Sequence, residues 1–139
     1  MGKTILVAVD GSKFLEKNIS YACDMAKSTG SKLTLIHIVT LPVMMESAVP
    51  IDPKPFQTEG SKIIEEAKQI AMRRGVEADT KLATVFRNPA QEILKAAEEG
   101  RYDLIVIGAK GHSLLRNLMI GSVADTVVRN ASCPVLVVR

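Results

Sequence analysis

Residues 5–12 read Ile5-Leu6-Val7-Ala8-Val9-Asp10-Gly11-Ser12. Five apolar residues in a row, with no polar alternation, describe a strand covered on both faces, and Asp10-Gly11-Ser12 cuts it with turn chemistry. A second run of this kind, Leu104-Ile105-Val106-Ile107, is cut by Gly108. Such strands belong to parallel sheets, whose neighbours are joined by crossovers rather than hairpins. The intervening sequence supplies the crossovers. Ser12 can cap a helix in which Leu15, Ile19, Ala22, Cys23 and Ala26 recur at helical spacing until Gly30 ends it.

Further along, Leu33 to Val39 reads as a strand. Thr40 to Phe56, with Pro42, Pro50, Pro53 and Pro55, is expected to be a long mobile loop that could serve as a lid. A helical stripe begins at Gly60 with Ile63, Ile64, Ala67, Ile70 and Ala71, and stops at Arg73-Arg74-Gly75. Thr80 to Val85 is a more polar strand. Asn88-Pro89-Ala90-Gln91 has the look of a capping box ahead of a helix that turns Ile93, Leu94 and Ala97 inward. A fourth helix carries Val123, Val127, Val128 and Ala131, and Val135 to Val138 forms the last strand.

Five strands alternating with four helices predict a single Rossmann-like α/β domain over residues 1–139, a doubly wound parallel sheet. Two winding orders suit such a chain. The order 3-2-1-4-5, with two helices on each face, is expected because it centres the two fully apolar strands and leaves the polar third at an edge. Ligands of doubly wound sheets bind beyond the carboxyl ends of the strands where the winding reverses. In this order that point brings Asp10 beside Gly108.

Composition narrows the function. With two Tyr, three Phe and no Trp in 139 residues, there is no aromatic platform for stacking bases, and a net charge of +3 with interspersed signs is weak for a polyanion binder. Two cysteines far apart, Cys23 and Cys133, make neither a disulfide framework nor a Cys-rich metal site. No apolar run approaches the roughly 20 residues of a spanning helix, and no cleavable leader is visible. A soluble, unprocessed, cytoplasmic protein that binds neither nucleic acid nor membrane is expected.

The chemistry concentrates in Gly108-Ala109-Lys110-Gly111 and, beyond nine intervening residues, in Gly121-Ser122 at a helix start. Glycines let backbone N–H groups close around an anion, and a helix N-terminus adds uncommitted donors and the positive end of its dipole. The same glycines could simply end a strand and begin a helix. The pattern G-x2-G-x9-G-S, with the preceding strand from Asp103 and the closing Ser132-Cys133-Pro134-Val135-Leu136-Val137-Val138, closely resembles the ATP-binding class of the universal stress protein family. The opening Ile5–Ser12 stretch and Leu35-Ile36-His37-Ile38 resemble that family too.

The resemblance implies an adenine against Ala8 and Ile38, with main-chain groups of Ile38 reading its edge, and a ribose near Asp10 and Gly108. Phosphates would lie along Gly111, His112, Ser113, Gly121, Ser122 and Val123, with Ala109 and Lys110 also among the nucleotide-binding residues. Relatives often carry a hydroxyl or another basic residue where this chain has Ala109-Lys110, and a side-chain donor where it has Leu114. ATP is the implied ligand, with AMP and ADP as alternatives, and Mg²⁺ or Mn²⁺ held mainly by the phosphates. A homodimer through Val135 to Val138 is also implied, and it would cover an apolar sheet edge. A proline at Leu136 is expected to split it.

Residue by residue, Asp10 could meet a ribose hydroxyl or a hydrated metal ion, or merely shape the turn before Gly11. His37 shares a strand face with Leu33 and Leu35 and reads as a hydrogen-bonded core histidine. Lys110 and His112 could offset phosphate charge or stand in solvent. The glycine segment lacks the Gly-Lys-Ser/Thr ending of a P-loop, and no base is placed for water. A receiver domain would need an acidic residue ending the third strand, where the chain has Ala83-Thr84-Val85-Phe86; Asp10-Gly11-Ser12-Lys13 is a poor flavin loop. The leading expectation is an ATP-binding regulatory module of the stress response with little or no turnover. A slow ATPase or phosphotransferase using Asp10 and His112, and a nucleotide-free dimeric interaction protein, are the alternatives.

Overall fold

A computed structural model describes residues 3–42, 51–109 and 120–139. The chain runs β1 (Thr4–Ala8), α1 (Leu15–Thr29), β2 (Lys32–Thr40), α2 (Lys54–Arg73), β3 (Asp79–Val85), α3 (Pro89–Glu99), β4 (Leu104–Gly108), α4 (Ser122–Asn130) and β5 (Val135–Val138). All strand pairs are parallel, and the order is β3-β2-β1-β4-β5. This is the expected doubly wound sheet, with the polar β3 at one edge.

Strand residues alternate between two apolar layers. Ile5, Val7, Leu33, Leu35 and Val106 face α1 and α2, while Leu6, Ile36, Ile105 and Ile107 face α3 and α4. Two helices therefore cover each face, as right-handed crossovers on either side of β1 require. The α1 stripe is buried as read, and Gly30 ends that helix at φ 66° with its N–H on the carbonyl of Ala26.

Several local expectations are corrected. The second helix begins at Lys54, six residues before Gly60, and Pro53 and Pro55 belong to its start rather than to a loop. Proline suits a helical first turn, where its missing N–H has no intrahelical partner to lose. The remainder of the proposed lid, from Val43 to Pro50, lies outside the described residues. Ser12 does not cap α1, since its Oγ accepts from the N–H of Phe14 at 3.3 Å and the helix starts at Leu15. Asn88 forms no capping box. It takes a left-handed conformation at φ 56°, without a side-chain cap bond, and its carbonyl accepts from Gln91 at 3.1 Å. On α4 the buried pair is Ala124 and Val127, while Val128 is exposed.

Candidate nucleotide cleft

β1 and β4 pair in register, Ala8 opposite Ile107, so their carboxyl ends open side by side. Beyond them lies a cleft of about 500 Å³. Ala8, Asp10, Ile38, Gly108, Ala109, Gly121, Ser122 and Val123 all line it. The chain thus brings together every anticipated site residue that falls within the described part. Lys110, Gly111, His112 and Ser113 lie outside the described residues, as does Leu114.

Each wall has a local cause. At the exit of β1, Asp10 Oδ1 accepts from the N–H of Ser12 at 3.0 Å. The turn role is therefore real, and it occupies one carboxylate oxygen of a half-buried residue. Val9 stays tied to the sheet by its N–H on the carbonyl of Ile36 at 2.9 Å. The exit of β4 is held from both sides: the N–H of Ala109 donates to Val138 at 2.8 Å, and its carbonyl accepts from the N–H of Gly121 at 2.7 Å. That last bond brings the start of α4 to the switch point. Gly121 caps α4 from an extended conformation with no side-chain cap bond, and the first helical bond described runs from Asp125 to the Gly121 carbonyl. N–H groups in such a first turn lack intrahelical partners and face the positive end of the dipole.

A Cβ at Gly121 would meet the Ala109 carbonyl oxygen at 3.2 Å. The glycine therefore eases the close approach of α4 to β4 and leaves room in the cleft.

Three contributions escaped the sequence reading. The first turns of α2 supply Phe56, Glu59, Gly60 and Ile63 to the cleft, and α3 supplies Pro89 and Ile93. Pro53 and Pro55 as a helix-start signal would have located the α2 wall. His37 also lines the cleft, half-buried, with Nδ1 2.8 Å from the Val9 carbonyl oxygen. It is hydrogen-bonded as expected, but at the rim of the site. Finally, Asn18 is buried on α1 against Gly108. Its position on the helical stripe, between Leu15 and Ala22, was the available signal.

The cysteines stand apart from this chemistry. Both are free, and burial pushes each thiol above the ordinary value of 9.0. Among the described residues, no three His, Cys, Asp or Glu side chains cluster as metal ligands. No helix there is long and apolar enough to cross a membrane.

A doubly wound parallel sheet with a glycine-edged cleft and a helix N-terminus at its switch point defines an α/β domain of the ligand-binding, Rossmann-like class. Within that class the chain belongs to the universal stress protein family, whose profile matches residues 1–139. Universal stress protein YxiE of Bacillus subtilis is 37% identical over 152 residues, covering 100% of both chains. Among solved structures, the universal stress protein from Archaeoglobus fulgidus in complex with dAMP is 25% identical with a TM-score of 0.77, covering 99% of this chain and 98% of that one. A universal stress protein in complex with cAMP is likewise 25% identical, with a TM-score of 0.74 and coverage of 99% and 97%.

Proposed function

We propose that this universal stress protein is a single-domain regulatory module that binds an adenine nucleotide, ATP foremost, with little or no turnover. The observation that carries the reading is the convergence at one cleft of an apolar slot, formed by Ala8 and Ile38, with the uncapped start of α4 at Gly121. The slot suits a base and the helix start suits phosphate. The dAMP and cAMP complexes of two relatives support an adenine nucleotide here. In this pose the ribose lies by Gly108 and by Asp10, whose Oδ2 is left after Oδ1 has served the turn. The phosphates lie along Ala109, Gly121, Ser122 and Val123, and Mg²⁺ or Mn²⁺ rides mainly on the phosphates.

The proposal extends to a homodimer through Val135 to Val138, because β5 ends the sheet opposite β3 and its first three residues are only half-buried. An apolar edge with unpaired backbone groups gains from a second copy. The two free thiols fit a reducing, cytoplasmic setting. Mass spectrometry of gently purified protein, followed by titration with Mg²⁺-ATP, tests the nucleotide reading. A co-purified adenine nucleotide or saturable binding is expected. Absence of both, in folded protein, would leave the module without its ligand and sink the reading.

A further inference from the structure

The buried stripe of α1 is apolar at Leu15, Ile19, Ala22, Cys23 and Ala26, and Asn18 interrupts it at only 3% exposure. Its Oδ1 has no hydrogen-bond partner among the described residues. An acceptor buried without a donor costs stability, and an apolar residue of the same size would avoid that cost. The carboxamide is placed against the exit of β4. A Cβ on Gly108 would lie 2.6 Å from Asn18 Nδ2 and 3.4 Å from Oδ1, so the amide takes the room that a side chain at 108 would fill. One residue further, the Ala109 carbonyl holds the N–H of Gly121 at the start of α4.

We infer that Asn18 is a positioning residue for the cleft. Its carboxamide packs against Gly108 from the α1 side and sets where Ala109 presents its carbonyl, which in turn fixes the first turn of α4. The side chain does not line the cleft, so it acts through the β4 exit and not by touching a ligand. The affinity consequence rests on the nucleotide reading; the structural one does not.

Two measurements on Asn18→Leu test it, the bulk being kept and the amide removed. The amide exchange rate of Gly121 in ligand-free protein should rise about tenfold, while the melting temperature stays at or above that of the wild type. ATP affinity should fall about tenfold. A folded Asn18→Leu protein with wild-type exchange at Gly121 would show that bulk alone suffices at this position and overturn the inference. Should that variant fail to fold, Gly108→Ala presses on the same contact from the other side. It should speed Gly121 exchange similarly, and an unchanged rate there would equally overturn it. If the wild type proves not to bind ATP, the nucleotide reading fails alone, because the exchange rates still decide the role of Asn18.

Discussion

His37 Nδ1 lies 2.8 Å from the carbonyl oxygen of Val9, a bond that joins β2 to the exit of β1 across 28 residues of sequence. A carbonyl only accepts, so Nδ1 must be the donor and carry the hydrogen. The bond fixes the backbone immediately before Asp10. His37→Phe keeps a ring of similar shape and removes the donor, and should cost about 1–3 kcal/mol in urea denaturation. Nitrogen NMR of the wild type should find the proton on Nδ1 in the neutral ring. A variant as stable as the wild type would show that the Val9 carbonyl finds another partner.

Gly60 allows α2 to lie close on the sheet, since a Cβ there would come 2.5 Å from Val39 Cγ2 and 3.3 Å from both His37 and Leu82. Valine is short and stiff and cannot swing away. Gly60→Ala should therefore lose about 1–3 kcal/mol by overpacking, despite alanine's better helix propensity. Val39→Ala in the same chain should restore much of the loss. If Gly60→Ala raises the melting temperature, propensity has won and the approach of α2 is looser than described.

Cys23 is wholly buried, and desolvation is the largest influence raising its thiol above 9.0, against smaller opposing effects of Arg74 and Lys27. The unfolded chain then loses the thiol proton before the native one does. The sign follows: this group's contribution to stability is intact below pH 9 and is lost as pH rises beyond it. Iodoacetamide at pH 8 should label Cys23 far more slowly than it labels urea-unfolded protein, and Cys23→Ala should flatten the alkaline loss of stability. Fast labelling of native Cys23 would contradict its burial.

The sheet order was legible because β1 and β4 announce double-sided burial by uninterrupted apolar runs, and β3 announces an edge by its polar residues. The switch point followed from that order. What stayed illegible depends on contacts between distant segments. Nothing local to Asn88 distinguishes a capping side chain from a left-handed backbone, and Asn suits both. Four prolines between Thr40 and Phe56 look alike in sequence, yet Pro53 and Pro55 open a helix because residues further on, such as Ala67 and Ile70, dock on the sheet. Asn18 gained its meaning only from Gly108, ninety residues away in sequence.

Gly121→Asp places bulk and negative charge at the helix start offered to phosphate. Gly121 is extended, at φ −60°, so its backbone angles suit any residue, and among the described residues the new Cβ presses on the Ala109 carbonyl oxygen at 3.2 Å. A modest loss of stability and a large loss of binding are expected. With Mg²⁺-ATP at ~100 times its dissociation constant, the wild type should gain roughly 2.7 kcal/mol, seen as a thermal shift. The variant should show the same far-ultraviolet circular dichroism and no shift. A folded variant that responds to ATP like the wild type would remove Gly121 and Ser122 from the phosphate site.

The choice of residue for testing the dimer follows from the ladder of β5. In a parallel strand the N–H and C=O of one residue point to the same side, and the side alternates. The carbonyls of Pro134 and Val138 accept from Ile105 and Ala109 of the β4 segment, so Leu136 also turns its backbone toward β4. Val135 and Val137 present theirs to the open edge. A proline at Leu136 would therefore break the internal β4–β5 ladder, and the loss of a dimer there could come from damage to the subunit itself. On the backbone Val137→Pro removes an outward N–H, where edge proline is tolerated, and it trims a half-buried side chain packed on the α3–α4 layer. In sedimentation the wild type should run as a dimer and this variant as a folded monomer with Mg²⁺-ATP binding retained. A dimer unchanged by Val137→Pro would place the interface on another surface.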